Sequence, residues 1–174
     1  MIRRATREDV ARILEIFNYN IVHSTAIYLY EEQTLEERLA WFDAKVEAGE
    51  PVFVYEVDGH IAGYATYGKF RPHVAYQYTI ENSVYVHENF QRRGIAKQLM
   101  LRLIDEAKQA HYKTMIACID ASNDGSKLMH EKLGFIHGGT LKNVGFKFGK
   151  WLDLDLYQLN LQNNRKLCTF SYVR

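Results

Sequence analysis

The spacing of apolar residues divides the chain into helical and extended segments. A short strand opens the sequence and ends at Thr6, which forms a capping box with Asp9 three residues on. Val10, Ile13, Leu14, Phe17 and Ile21 then recur at helical spacing. A second capping box, "TLEE", starts at Thr34, and Leu35, Leu39, Phe42 and Val46 make the expected buried stripe of a second helix. "VFVYEV", the turn Asp58-Gly59 and "HIAGYATYGKF" predict an antiparallel hairpin, because Asp-Gly suits a two-residue turn with positive backbone angles. Tyr76 to Val86 reads as a further strand. A strongly amphipathic helix runs from about Arg93 through Ile95, Leu99, Leu103, Ile104 and Ala107, and the strand "KTMIACID" follows. Asn123 or Ser122 can cap a short helix ending at Gly134, where glycine supplies a left-handed cap. "FIHGGTLKNVGFKFGKWLDLDLYQLNL" supplies the last strands.

The order is β α α β β β α β α β β, a mixed α/β fold in one domain over residues 1–162. The remaining segment, 163–174, is polar and then aromatic, a tail that either frays or docks on a neighbour. A hydrophobic fraction of 47% and a charged fraction of 25% suit an ordinary globular core. The net charge of +1 and the scattered basic residues give no broad footprint for nucleic acid, although a local anion pocket remains compatible with them. Cys118 and Cys168 have no metal-ligand spacing, so no metal site is expected and a reducing compartment fits. No apolar run approaches the ~18 residues of a membrane span, and "MIRRATREDV" lacks a signal-peptide core. The expectation is a cytoplasmic protein without a membrane partner.

Two stretches carry chemistry. Gln91, Arg92, Arg93, Gly94, Ile95 and Ala96 lie between a strand and the start of the amphipathic helix. Free N–H groups and the helix dipole make that junction an anion site, glycine admits a phosphate close to the backbone, and arginine neutralises it. Alone, the two arginines would read as a solvated basic turn. The residues are not those of a Walker loop or a dinucleotide-binding fingerprint. The second stretch is "AYQYTIENSVYV", whose alternation sets Tyr78, Ile80, Val84 and Val86 on one face and Gln77, Thr79, Glu81 and Ser83 on the other. A carboxylate in mid-strand is costly unless it is partnered or faces a wet cleft, so Glu81 marks either a solvated strand face or a cleft.

"QRRGIA" after "VYV" resembles the acyl-CoA pyrophosphate loop of the GCN5-related N-acetyltransferase superfamily. With "NDGSKLMHEKLGF" and "GFKFGKWLDLDLYQL", the chain is similar to the phosphinothricin or methionine sulfoximine acetyltransferase branch over most of its length. The resemblance implies a single-domain acetyltransferase (GNAT) fold: a mostly antiparallel mixed sheet flanked by helices and splayed where acetyl-CoA enters. It implies acetyl-CoA as co-substrate, held by Val84, Val86, Gln91 through Lys97, Asn123 and Ser126, with Glu81 as the base that takes the amine proton. His130 stands where many members carry tyrosine beside the CoA sulfur; it is an acid for the thiolate, a proton relay or a packed histidine. Asn123 can cap its helix as well as hold the pantetheine arm. Tyr28, Arg71, His73, Tyr76 and Thr79 are the implied substrate residues, Arg71 suiting an α-carboxylate; for Tyr28 and Tyr76 an ordinary core or rim role competes evenly. The expected reaction is acetylation of the α-amino group of a small amino acid or analogue by a homodimer whose interface includes the C-terminal strands and tail. Peptide N-terminal acetylation and a non-catalytic acetyl-CoA module are the alternatives, and Glu81 with His130 argue against the second.

Overall fold

The computed structural model describes residues 1–162, so the tail at 163–174, with Cys168, lies outside the described residues. Strands β1 (Ile2–Arg4), β2 (Val52–Val57), β3 (His60–Lys69), β4 (Thr79–Val86), β5 (Thr114–Asp120), β6 (Ile136–Lys147) and β7 (Lys150–Asn160) form one sheet in the order β1-β2-β3-β4-β5-β7-β6. Every neighbouring pair is antiparallel except β4–β5. Helices α1 (Val10–His23), α2 (Leu35–Glu47), α3 (Ile95–Gln109) and α4 (Asp124–Lys132) flank it.

Each start has a local cause. The Asp9 carboxylate accepts from the Thr6 N–H at 2.8 Å, and one turn of 3-10 helix leads into α1. At α2, Thr34 and Glu37 exchange bonds reciprocally, Glu37 N–H to Thr34 Oγ1 at 3.2 Å and Thr34 N–H to Glu37 Oε2 at 2.7 Å. Asp58 and Gly59 turn the β2–β3 hairpin with φ of 48° and 77°.

Two apolar clusters cover the sheet. On one face, Leu99, Met100, Leu103 and Ala107 of α3 pack on Ile80, Met115 and Ala117. On the other, Val10, Ile13 and Ile16 of α1 and Phe42 of α2 pack on Val52, Val54, Ile61 and Tyr64. Two expectations need correction. The α2 stripe is not Leu35 to Val46: Leu35 and Val46 are 46% and 63% exposed, whereas Arg38 is 4% exposed. Its guanidinium stacks 3.6 Å from the Trp41 ring and 3.9 Å from Phe17, and it donates to the Tyr64 hydroxyl at 2.9 Å. A planar cation between aromatic rings replaces the aliphatic residue that periodicity alone selects. The strand expected from Tyr76 begins only at Thr79, because Val74–Tyr76 form a 3-10 turn.

Candidate active site

The β4–β5 seam is short. Thr79, Ile80 and Glu81 pair with Thr114, Met115 and Ile116, and beyond Glu81 the strands have no paired residues. Between them opens a cleft of about 370 Å³, bordered by Glu81, Ser83 and Val84 of β4, Cys118 and Asp120 of β5, Asn123, Ser126 and His130 from α4 and its cap, and Ala26 to Tyr28 from the α1–α2 loop. Thr79 C=O and His87 N–H both bond toward β3, so strand alternation turns the backbone groups of Val84 and Val86 into this opening. Parallel strands that diverge leave donors and acceptors without a ladder, which a ligand can complete.

Glu81 is the last paired residue of β4 at this seam and borders the cleft. Burial pushes its carboxyl pKa up, while the neighbouring Cys118 thiol and the charge of Arg71 pull the other way. Burial first, and then the neighbouring Glu81, push the Cys118 thiol up to about 12, so it stays neutral.

His130 reaches the cleft from the opposite face. It is 2% exposed, meets Phe135 edge-on at 4.9 Å, and approaches the Ser126 carbonyl through Nδ1 at 2.8 Å. A carbonyl only accepts, so Nδ1 carries the proton and Nε2 accepts from Asn82 Nδ2 at 3.1 Å. Burial lowers the imidazole pKa, which favours this neutral form. Asn82 is itself 7% exposed, and its Oδ1 is buried without a hydrogen-bond partner. The strand pattern already contained this signal: Asn82 is the one polar residue on the face shared by Ile80 and Val84. Asp120 was also missed. It is 5% exposed and accepts from the Tyr28 hydroxyl at 2.9 Å and from the Ser122 N–H at 3.0 Å.

The residues between Gln91 and Lys97 fit a phosphate. Gly94 precedes α3 with φ 75°, offers no side-chain cap, and has nothing within 4 Å of the position a Cβ would take. The first bond of the helix runs from Gln98 N–H to the Gly94 carbonyl at 3.2 Å, so the N–H groups of Ile95, Ala96 and Lys97 have no carbonyl a turn behind them. Gln91, Arg92, Arg93 and Lys97 are exposed around this end, and Arg92 shares the left-handed conformation with φ 62°. Arg93 is tethered to the preceding turn through the Asn89 carbonyl at 3.2 Å. The Ile95 side chain is 4% exposed in the core, so only its backbone faces the loop. Val86 likewise sends its side chain into the core. Asn123 caps α4 by accepting from Ser126 N–H at 3.1 Å and also borders the cleft.

The expected substrate residues separate. Tyr28 borders the cleft, whereas Arg71, His73, Tyr76 and Thr79 do not. Arg71 lies on the segment leading into β4, near enough to bias Glu81. His73 and Tyr76 are exposed and stack with one another at 6.4 Å, Tyr76 also meeting Phe70 at 5.7 Å. The reason is the 3-10 turn, which ends the alternation that would have aligned them.

An acyl-CoA ligand suits this geometry: an anion cradle at one end, a splayed strand pair for an amide-bearing arm, and a carboxylate at the apex. Comparison with known proteins agrees. The model of the Acetyltransferase (GNAT) family matches residues 15–135. An L-amino acid N-acyltransferase of Escherichia coli is 41% identical over 92% of this chain and 93% of its own. The L-methionine sulfoximine/L-methionine sulfone acetyltransferase of Salmonella typhimurium is 40% identical over 94% and 95%. Among solved structures, a Salmonella typhimurium protein with its cofactor acetyl-CoA aligns at TM-score 0.93, with 39% identity over 98% of both chains. A ribosomal-protein-alanine N-acetyltransferase from Brucella melitensis aligns at 0.91, with 40% identity over 92% and 99%. On the family match and these near-full-length relatives, the chain belongs to the GNAT family of acetyltransferases.

Proposed function

We propose that the protein transfers the acetyl group of acetyl-CoA to the α-amino group of a small free amino acid or analogue, of the methionine sulfoximine, methionine sulfone or phosphinothricin type. The observation that carries this reading is Glu81, a carboxylate with a raised pKa where β4 and β5 part. Acetyl-CoA supplies an activated thioester carbonyl. Glu81 takes a proton from the substrate ammonium, and the freed amine attacks that carbonyl directly. Backbone N–H groups at Val84 and Val86 orient and polarise the carbonyl oxygen. The C–S bond breaks as the attacking nitrogen gives up its second proton, and the leaving sulfur takes up that proton to depart as thiol. His130 has no proton to give in this arrangement, since Nδ1–H is held by Ser126 and Nε2 accepts from Asn82. We therefore assign it a positioning role beside the sulfur. Arg71 would meet the α-carboxylate, and Tyr28 would form a wall of the pocket.

Glu81→Gln should lower kcat by about 10²–10⁴-fold while acetyl-CoA binding by calorimetry stays within a factor of two; unchanged turnover would remove the base assignment. The likeness to the Brucella enzyme favours a second reading, acetylation of a protein N-terminus. Alanine-initiated peptides run beside a panel of free amino acids, with CoA thiol release as the readout, separate the two. The proposal extends to a homodimer covering the exposed β6 edge. It also extends to a cytoplasmic setting without nucleic-acid or membrane partners, supported by the balanced charge of +1.

A further inference from the structure

The loop between α1 and α2 brings Ala26, Ile27 and Tyr28 to the cleft, yet the stretch from Ser24 to Gln33 has no helix or strand of its own. One segment of β6 holds it. Lys147 is 4% exposed, and its ammonium donates to the carbonyls of Ile21 at 2.6 Å, Ser24 at 2.8 Å and Ile27 at 2.7 Å. Three N–H groups meet three carbonyls where α1 ends and the loop begins, and the helix C-terminus favours a cation there. No carboxylate pairs with Lys147 among the described residues, so the carbonyls are what make its burial tolerable.

Two residues earlier, on the same face of β6, Gly145 makes room for Tyr28. A Cβ at that position would lie 2.7 Å and 2.9 Å from two carbons of the Tyr28 ring. Phe146 between them accepts the Tyr30 hydroxyl on its carbonyl at 2.5 Å. Tyr28 then reaches across to the end of β5, its hydroxyl on Asp120 at 2.9 Å. The loop is thus fixed at three points.

We propose that Gly145 and Lys147 are positioning residues of the acceptor pocket: they seat the α1–α2 loop so that Tyr28 walls the cleft and restricts the acceptor to a compact amine. The inference rests on the function proposed above for its substrate, but its geometry can be tested separately. Lys147→Met keeps the stem and removes the donors; Gly145→Ala keeps the strand and pushes on the Tyr28 ring. Both should raise the KM of the best amino-acid acceptor at least five-fold and leave the acetyl-CoA KM within two-fold. In both, amide hydrogen exchange across residues 24–30 should accelerate at least ten-fold, with exchange in α3 unchanged. Should Lys147→Met fail to fold, Gly145→Ala and Tyr28→Phe, which loses the hydroxyl bonds to Asp120 and to the Asp153 carbonyl, carry the test. Unchanged acceptor KM in a folded variant, equal rises in both KM values, or unchanged loop exchange would overturn the proposal. A wild-type enzyme that acetylates no free amino acid would instead overturn the functional reading, and loop exchange would still decide the role of Gly145 and Lys147.

Discussion

Single residues set the chemistry, and Glu81 is the clearest. With its pKa raised by burial, the base proposed at Glu81 loses its negative charge at a higher pH than an ordinary glutamate near 4.5. Turnover under saturating substrates should therefore fall with decreasing pH along an acidic limb placed above that value. The Cys118 thiol beside the carboxylate partly opposes the rise, so Cys118→Ala should move the limb further up. A limb that stays in place, measured as kcat against pH, would show that the thiol does not act on Glu81. The residue scale is also where sequence reading was least complete. Glu81 was visible because a carboxylate in an alternating strand demands an explanation. Asn82, Asp120 and Lys147 were not singled out, because the partners that explain their burial stand 48 or more positions away: His130, Tyr28 and the end of α1. Asn82 shows in the pattern only as a break in an apolar strand face, and what such buried polar residues do lies in their tertiary contacts.

At the scale of elements, caps and hairpin turns agreed with expectation because their causes are local. The Thr34 box and the Asp58-Gly59 turn each need only four consecutive residues. Elements misjudged from sequence are those decided from outside, such as the 3-10 turn before β4 and the stacked Arg38 of α2. The junction of Gly94 with α3 combines both influences. Its φ of 75° costs a branched side chain about 1–2 kcal/mol, although the space where a Cβ would stand is open. Gly94→Val should raise the acetyl-CoA KM ten-fold or more and leave the acceptor KM nearly unchanged; similar KM values for acetyl-CoA in the two proteins would argue against a phosphate seat there. Near the N-terminus, Arg3 grips Asp9 through two bonds of 2.7 Å and 2.9 Å and holds its carboxyl below the ordinary value of 3.8. A lowered acid pKa stabilises the fold above the unfolded-state value, and that contribution is lost as the pH falls through the native one. Asp9→Asn should thus cost about 2 kcal/mol in urea unfolding at pH 7, with the deficit shrinking below pH 4.

For the whole molecule, the β6 edge of the sheet is left open by the helices among the described residues. Ile136, Val144, Phe146 and Trp151 on the β6–β7 hairpin are 74%, 51%, 46% and 65% exposed. An apolar edge of this kind invites pairing, and a second copy is the proposed cover. Light scattering should give twice the chain mass of 20.3 kDa, and Trp151→Glu should shift the mass toward that of one chain. A single-chain mass for the unmodified protein at micromolar concentration would leave the edge without that role. The short β4–β5 seam has a wider consequence. It divides the sheet into a slab of β1 to β4 and a slab of β5, β7 and β6, held together within the sheet by three residue positions. Two rigid plates on so narrow a hinge line resemble the jaws of a clamp. A thioester arm threaded between them would bolt the plates together, and departure of the product would release them, so a donor seated at this seam would couple turnover to the stiffness of the whole sheet.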